Sequence, residues 1–583
     1  MLNRFILLAV LAFATAFISS ELILPSRQHG SVLPVITKKY IKRNIISCSP
    51  DWETVKQWLE ETDIPLIPGS GNLAWKISTS NDSAQLYFNQ GINMYYCFHI
   101  IEAMASFKKA SKFDPGCAML YWAQALAYGP NINDLGYVAS PDALVATSTA
   151  LKLSENATSL EKELINAMSV RYTADSTDAT RPKLNAAYTE MMKNICTKFP
   201  GNADVEALYA DAMMLEHPWD LWNTNGTPKP WTPQIRTVLE RLLAKAPDHP
   251  GANHYYIHVM EPSPYADKAL ACADRLGRLT PALSHTVHMP SHIYLRTGNY
   301  SKGVSVNTDA LSSYKKVLAV YPPANGNEFL YVLHNLHMQA NNAMMAGLST
   351  VSASAATETA RSIPKEYLTM PAPLGSYIQY LYMTATLSDV RFGKWESLLS
   401  AEKPSGELVY ANVLYHFGRG MALAHQSKAA EATDELGQLQ QLLKDSSLDI
   451  PFTPFSAAID GAYVAENLLS GSIAMAERKY GEAIDQFSKA VDIEERMVYN
   501  EPRDWLLNPK HYLGNAYIYA GKPADAEKVF RRDLLNNNEN GWALYGIYQA
   551  LQLQDKKAEA EKMLSRYRKA FAESGLSLEA SVF

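Results

Sequence analysis

Seven of the fourteen histidines in this 583-residue chain lie between His254 and His337, and their spacing suits ligation of a metal by imidazole. They are His254, His258, His285, His288, His292, His334 and His337. His254 to His288 spans 34 residues, and His258 to His292 spans 34 again. His285, His288, His292 and Gly298 then share one mutual spacing with His334, His337, Asn341 and Gly347. Residues at equal offsets in stacked repeats come side by side, so imidazoles from adjacent helices can converge on one ion with bonds of about 2.0–2.1 Å. Imidazole suits zinc, copper, iron and nickel; a set rich in nitrogen and poor in carboxylate favours zinc or copper, with iron still open. Glu261, one turn beyond His258, is a candidate ligand, partner of a ligand, or general base. The expectation is one pocket in which His254, His258, His288, His292 and His337 meet, with His285, His334 and Glu261 as further ligands or their supports. The competing reading is a set of buried histidines bonded to Tyr255, Tyr256, Tyr294 and Asn335.

The interval of 34 residues is that of a helix–turn–helix repeat. Elsewhere the chain carries the small and large residues such a hairpin needs for close packing: Gly91, Ala103, Phe107 and Ala110, with Pro115 to stop the second helix. Gly471, Ala483, Phe487 and Ala490 repeat the pattern, as do Gly514, Ala526 and Phe530, and a degenerate unit follows at 542–564. Strand-type alternation is nearly absent. The fold expected is all-α, a tetratricopeptide-like α-solenoid of stacked antiparallel hairpins in two blocks. Phased on Pro247, Ala269 and Pro281, the repeat puts His254 and His258 at its fifth and ninth positions. His288 and His292 take those positions in the next unit, with His285 at the second; His334, His337 and Asn341 take the second, fifth and ninth in the third. These offsets share the helix face that lines the concave groove. Pro290, which has no N–H, interrupts the second of these helices near Met289.

Several runs carry a resemblance: CAMLYWAQALAYGPNIN (117–133), HPWDLWN (217–223), DHPGANHYYIH (248–258), HTVHMPSHIYLRTGNY (285–300) and HNLHM (334–338). With them the chain resembles a widespread, largely uncharacterised family of tetratricopeptide-repeat proteins best represented in bacteria. The resemblance runs from about residue 81 onward. It implies the helical-repeat fold and brings no reaction with it.

The boundaries read as a signal peptide at 1–20, an extension at 21–78, a repeat block with the histidine groove at 79–347, connecting helices at 348–403 and a second block at 404–583. Arg4 followed by an apolar run from Phe5 to Ile18 is too short to span a bilayer and reads as a cleaved leader. Sequons at Asn81, Asn156, Asn225 and Asn299 fit that secretory or lumenal route as glycosylation sites, and no later segment is long and apolar enough to anchor the mature chain. Five cysteines without a CxxC pair exclude a disulfide framework and a thiolate metal site. A net charge of −6 without a basic block gives no electrostatic reason for nucleic acid. Protease, hydrolase-elbow and phosphate-loop signatures are all missing. PWDLW (218–222) reads as a structural turn under the array. Two functions remain: a metal-binding protein, an enzyme if the ion keeps an open position, or a scaffold whose groove takes a peptide, protein or small molecule.

Overall fold

The computed structural model of the protein describes residues 50–583 except Asp51, Leu135, Gly136, Val138, Ser176, Thr177, Glu328, Thr453, Pro502 and Arg503. The leader at 1–20, the first part of the extension and Cys48 fall outside the described residues. Cys97, Cys117, Cys196 and Cys272 form no disulfide.

Helices succeed one another along the whole described chain, and consecutive helices pack as antiparallel hairpins. Among the described residues the only β-type pairings are the isolated bridges Trp222–Pro228 and Pro451–Ala457. The chain is an α-solenoid. Its hairpins close because a glycine on one helix admits a phenylalanine from the next. A Cβ on Gly91 would lie 2.4 Å from the Phe107 ring, and the pairs Gly471–Phe487 and Gly514–Phe530 repeat that distance. All three phenylalanines are buried.

The apolar core falls into two large clusters. One runs from Trp52 to Ala324, and the other from Leu333 to Leu578. The histidine-bearing helices lie where the first gives way to the second. Late parts of the chain return onto this junction. Phe455 joins the first core, Trp542 Nε1 donates to the Met344 carbonyl at 2.9 Å, and Tyr300 donates to the Asn538 carbonyl at 2.7 Å. This return closes the groove that the repeat pattern leaves open, and His254, His258, His288, His292 and His337 are 0–1% exposed.

Candidate metal centre

Three stretches position the histidines. The helix Pro250–Met260 starts with His249 as its N-cap, accepting from the Ala252 N–H, and carries His254 and His258 one turn apart. Next come the short helix Ser284–His288 and the helix Pro290–Thr297. Met289 keeps right-handed backbone between them (φ −49°, ψ −35°), so Pro290 splits the hydrogen-bond ladder without turning the chain. In the third stretch a π-helical turn, Phe329–His334, runs into the helix Asn335–Ala346. Gly298 and Gly347, at φ 80° and 73°, close the last two stretches in the left-handed region.

Six of the seven histidines come together as two adjoining sets of three, linked by Glu261 and by His285 and His288, whose rings lie 6.2 Å apart. In the first, His254 Nε2 lies 3.1 Å from both His258 Nε2 and His285 Nε2. In the second, His288 Nε2 lies 2.8 Å from His292 Nε2 and 3.0 Å from His334 Nε2, and the last two are 3.5 Å apart. One rule builds both: the fifth and ninth positions of one repeat and the second position of the next. Nitrogens bound at about 2.0–2.1 Å to one ion stand roughly 3.3–3.6 Å from each other. Each set is close to that spacing.

The other ring nitrogens decide what these atoms are. His254 Nδ1 donates to the Tyr96 carbonyl at 2.7 Å, and a carbonyl can only accept. His288 Nδ1 donates to Asn307 Oδ1 at 2.6 Å, and the amide end of Asn307 is fixed by donating to the Gly303 carbonyl. His258 Nδ1 is 3.0 Å from Glu261 Oε1, and His292 Nδ1 is 2.8 Å from Glu261 Oε2, off the line of a hydrogen bond. With Nδ1 protonated, a neutral ring turns a bare lone pair at Nε2 toward its neighbours. Bare lone pairs 2.8–3.1 Å apart repel unless a metal ion, or the proton of a charged ring, lies between them.

Burial, then the neighbouring imidazoles, push His254, His285, His288 and His334 well below the usual histidine range, so all four are neutral and able to ligate. Burial also pulls on His258, but the carboxylates of Glu261 and Glu501 outweigh it and hold the ring at about 9. His292 is likewise raised against its burial, chiefly by Glu261. Glu261 itself stays well below the usual carboxylate range because His292 and His258 outweigh its burial. Each set thus has one ring favouring a proton beside two that refuse it. Of the roles considered for Glu261, the geometry suits a partner of the ligands: both oxygens face ring nitrogens, one histidine in each set, and Tyr499 donates to Oε2 at 2.7 Å.

His337 stands apart from both sets, which corrects the expectation that it joins the pocket. It holds the fifth position of the third unit, where the ninth is Asn341, and its ring packs 5.5 Å from Tyr380 instead. Neither ring nitrogen has a hydrogen-bond partner, and burial alone lowers it to about 3. His337 begins a third set that the sequence does not complete. Of the tyrosines in the competing reading, Tyr256 donates to Glu240 and Tyr294 to Asp274, while Tyr255 packs its ring against His254 at 5.7 Å.

Sequence reasoning missed most of the surroundings. The backbone N–H of His285 points to His99 Nε2 at 3.4 Å, and His99 Nδ1 lies 3.0 Å from Glu102. Phe98 stacks on His258 and His285, and Trp219 meets His258 edge-on at 5.5 Å. Both have left-handed backbone (φ 56° and 61°), which is rare for bulky residues and concentrates where a site must be held in shape. PWDLW is therefore more than a turn. Trp219 also lines a cleft of about 1020 Å3, as do Tyr499 and Asp220, the last paired with Lys229 at 2.7 Å. Of the sequons, Asn156 and Asn225 are exposed, whereas Asn81 caps a helix and Asn299 bonds to Thr297.

Fold and site together define a class: a tetratricopeptide-type α-solenoid with an internal imidazole centre. The chain matches no protein family, and no curated protein matches it in sequence. It is similar in structure to the human IFIT1 dimer with PPP-AAAA, at 11% identity and TM-score 0.32, over 89% of this chain and 100% of that one. Yeast Tom70 aligns at 10% identity and TM-score 0.28 over 92% and 95% of the two chains. The APC/C hetero-tetramer Cut9–Hcn1 aligns at 13% and 0.24 over 93% and 92%. Scores this low carry nothing about function.

Proposed function

We propose that the chain is a transition-metal protein holding two ions, one on each set of three imidazoles, with zinc or copper the metals this ligand type favours. The observation that carries the reading is the convergence of three Nε2 atoms in each set, with His254 and His288 fixed as acceptors at Nε2 by Tyr96 and Asn307, and with Glu261 beside Nδ1 of His258 and His292. An ion on each set relieves the repulsion between its two neutral rings and takes the place of the proton that His258 or His292 favours. Three protein ligands leave a position for water or substrate, the arrangement of catalytic rather than structural sites. Glu261 then raises the basicity of one ligand in each set, and Phe98 and Trp219 exclude solvent.

Elemental analysis of protein prepared without a histidine tag tests this directly. Two equivalents of transition metal per chain are expected; no metal, with none taken up on titration, would sink the proposal. The same reading includes kinship with the bacterial repeat family whose runs the chain shares, and a secretory or lumenal destination. Sequencing the mature N-terminus and mapping glycans at Asn156 and Asn225 checks the destination, and an intact leader with bare asparagines would remove it.

A further inference from the structure

We propose that a third divalent cation binds beside the two imidazole sets, held by His258 Nδ1, Glu261 and Glu501, a ligand set that suits a harder ion such as manganese. It extends the metal reading, since His258 and Glu261 serve both, but Glu501 belongs to neither imidazole set and gives the site a handle of its own.

His258 offers a different nitrogen here. Its Nε2 faces His254, and its Nδ1 lies 3.0 Å from Glu261 Oε1 and 3.5 Å from Glu501 Oε1. Donor atoms bound at about 2.0–2.2 Å to one ion stand roughly 2.9–3.6 Å from each other. One ligand atom from each of the three residues lies within 4.8 Å of the other two. Glu261 is the C-cap of the helix that carries His258, whereas Glu501 arrives with the returning C-terminal repeats, its backbone N–H donating to Asn500 Oδ1 at 2.8 Å. Tyr499 holds the far oxygen of Glu261, which leaves Oε1 to change from hydrogen-bond partner to ligand.

Two atoms at this spot call for a ligand. Glu501 Oε1 and His292 Nδ1 are both buried without a hydrogen-bond partner among the described residues. They lie 3.9 Å apart, and His292 Nδ1 is 2.8 Å from Glu261 Oε2, so both are turned to the place where the carboxylates meet. The side chains of His258, His292 and Glu261 are 0% exposed, and that of Glu501 is 11% exposed. A carboxylate oxygen buried without a donor is costly, and a cation satisfies it. Burial, then the neighbouring charge of Glu261, push the Glu501 carboxyl up to about 7, the mark of two carboxylates held side by side away from water.

Two carboxylates and one imidazole make a harder set than three imidazoles. Carboxylate and water suit magnesium, calcium and manganese, whereas imidazole suits transition metals, and manganese meets both requirements. Three protein ligands leave its other positions to water. With an ion on each nitrogen His258 becomes an imidazolate bridge, and bonds of about 2.0–2.1 Å put the two ions roughly 6 Å apart. The entering ion takes the place of the Nδ1 proton, which leaves to solvent. That displacement, and repulsion by the ions already present, make this the weakest of the three sites, so the chain as purified holds two ions and the third enters on titration. The way in is the cleft of about 1020 Å3, lined by Trp219, which meets His258, and by Tyr499, which is bonded to Glu261.

Titration of the zinc-loaded full chain with divalent manganese tests this, following the loss of the free-ion paramagnetic resonance signal and measuring zinc on the same samples. One equivalent of manganese, saturating at submillimolar concentration, is expected, with zinc staying at two. Glu501→Gln should weaken the manganese step at least tenfold and leave zinc at two, which also shows that the variant is folded. Asp492→Asn, which alters an exposed carboxylate of the cleft wall, should change neither. No manganese bound at millimolar concentration, a step unchanged in Glu501→Gln, an equal loss in Asp492→Asn, or manganese that enters by expelling zinc would each overturn the proposal. Manganese held through Glu501 by a chain that takes up no zinc would leave this site standing and strike the imidazole sets; two bound zinc ions without manganese would do the reverse.

Discussion

Glu261→Gln is the sharpest perturbation the centre offers. The side chain keeps its size, loses its charge, and turns one acceptor oxygen into a donor. In the native chain Oε1 lies 3.0 Å from His258 Nδ1 and Oε2 2.8 Å from His292 Nδ1, with Tyr499 donating to Oε2 as well. The glutamine amide must face one Nδ1–H with its own N–H groups, and the other histidine keeps only a neutral acceptor. Removing such a partner of a ligand costs about 10–100-fold in metal affinity, or about 1.4–2.7 kcal/mol for each ion. Because one carboxylate serves both sets, both dissociation constants should weaken. Competition against a chromophoric chelator at fixed pH resolves the two binding steps. Two unchanged constants would refute the reasoning, and so would weakening of one step alone, since that would show the carboxylate supports a single set.

Other outcomes follow from the same geometry. His258→Ala should leave one equivalent of metal bound, and His292→Ala should do the same from the other side; loss of both ions in either variant would mean the sets form a single site. His337→Leu should leave metal content at two. It should also remove an acid sensitivity, because burial holds His337 at about 3 in the fold against 6.5 when unfolded. Below pH 6.5 only the unfolded chain takes this proton, so His337 costs stability by about 1.4 kcal/mol per pH unit as pH falls toward 3, with no effect above 6.5. Urea melts at pH 7 and pH 5 compare the slopes of the two proteins. Gly471→Ala places a Cβ 2.4 Å from the Phe487 ring and should destabilise the fold by about 1–3 kcal/mol, read as a shifted urea midpoint with metal content unchanged.

The repeat and six of its histidines were legible in the sequence because stacking converts equal spacing into adjacency. The pairing of those histidines was not. Register alone places equivalent residues in a row, whereas the sets combine the fifth and ninth positions of one unit with the second of the next. His337 misled for that reason: it keeps the spacing but meets Asn341 and Tyr380 where imidazoles are needed. Tyr499 and Glu501 were invisible for a different one. They sit in an irregular stretch without periodicity, and only the return of the C-terminal repeats brings them to Glu261 and His258. Burial of the groove has the same origin. His99 stands at a helix start without capping it, and its ring is turned to Glu102 and to the His285 N–H.

The bond from Tyr499 to Glu261 also bears on how the centre is filled. His334 completes the second set, and roughly 165 further residues separate it from the tyrosine that covers their shared carboxylate. At the usual pace of synthesis, about 5–20 residues per second, every ligand exists for on the order of ten to thirty seconds before its cover does. Under the proposed metal function, that interval lets an ion reach the imidazoles without any helix of the finished fold having to part. Loading of a metal centre of this kind would then be a step in the chain's biogenesis, set by the order in which its repeats are made.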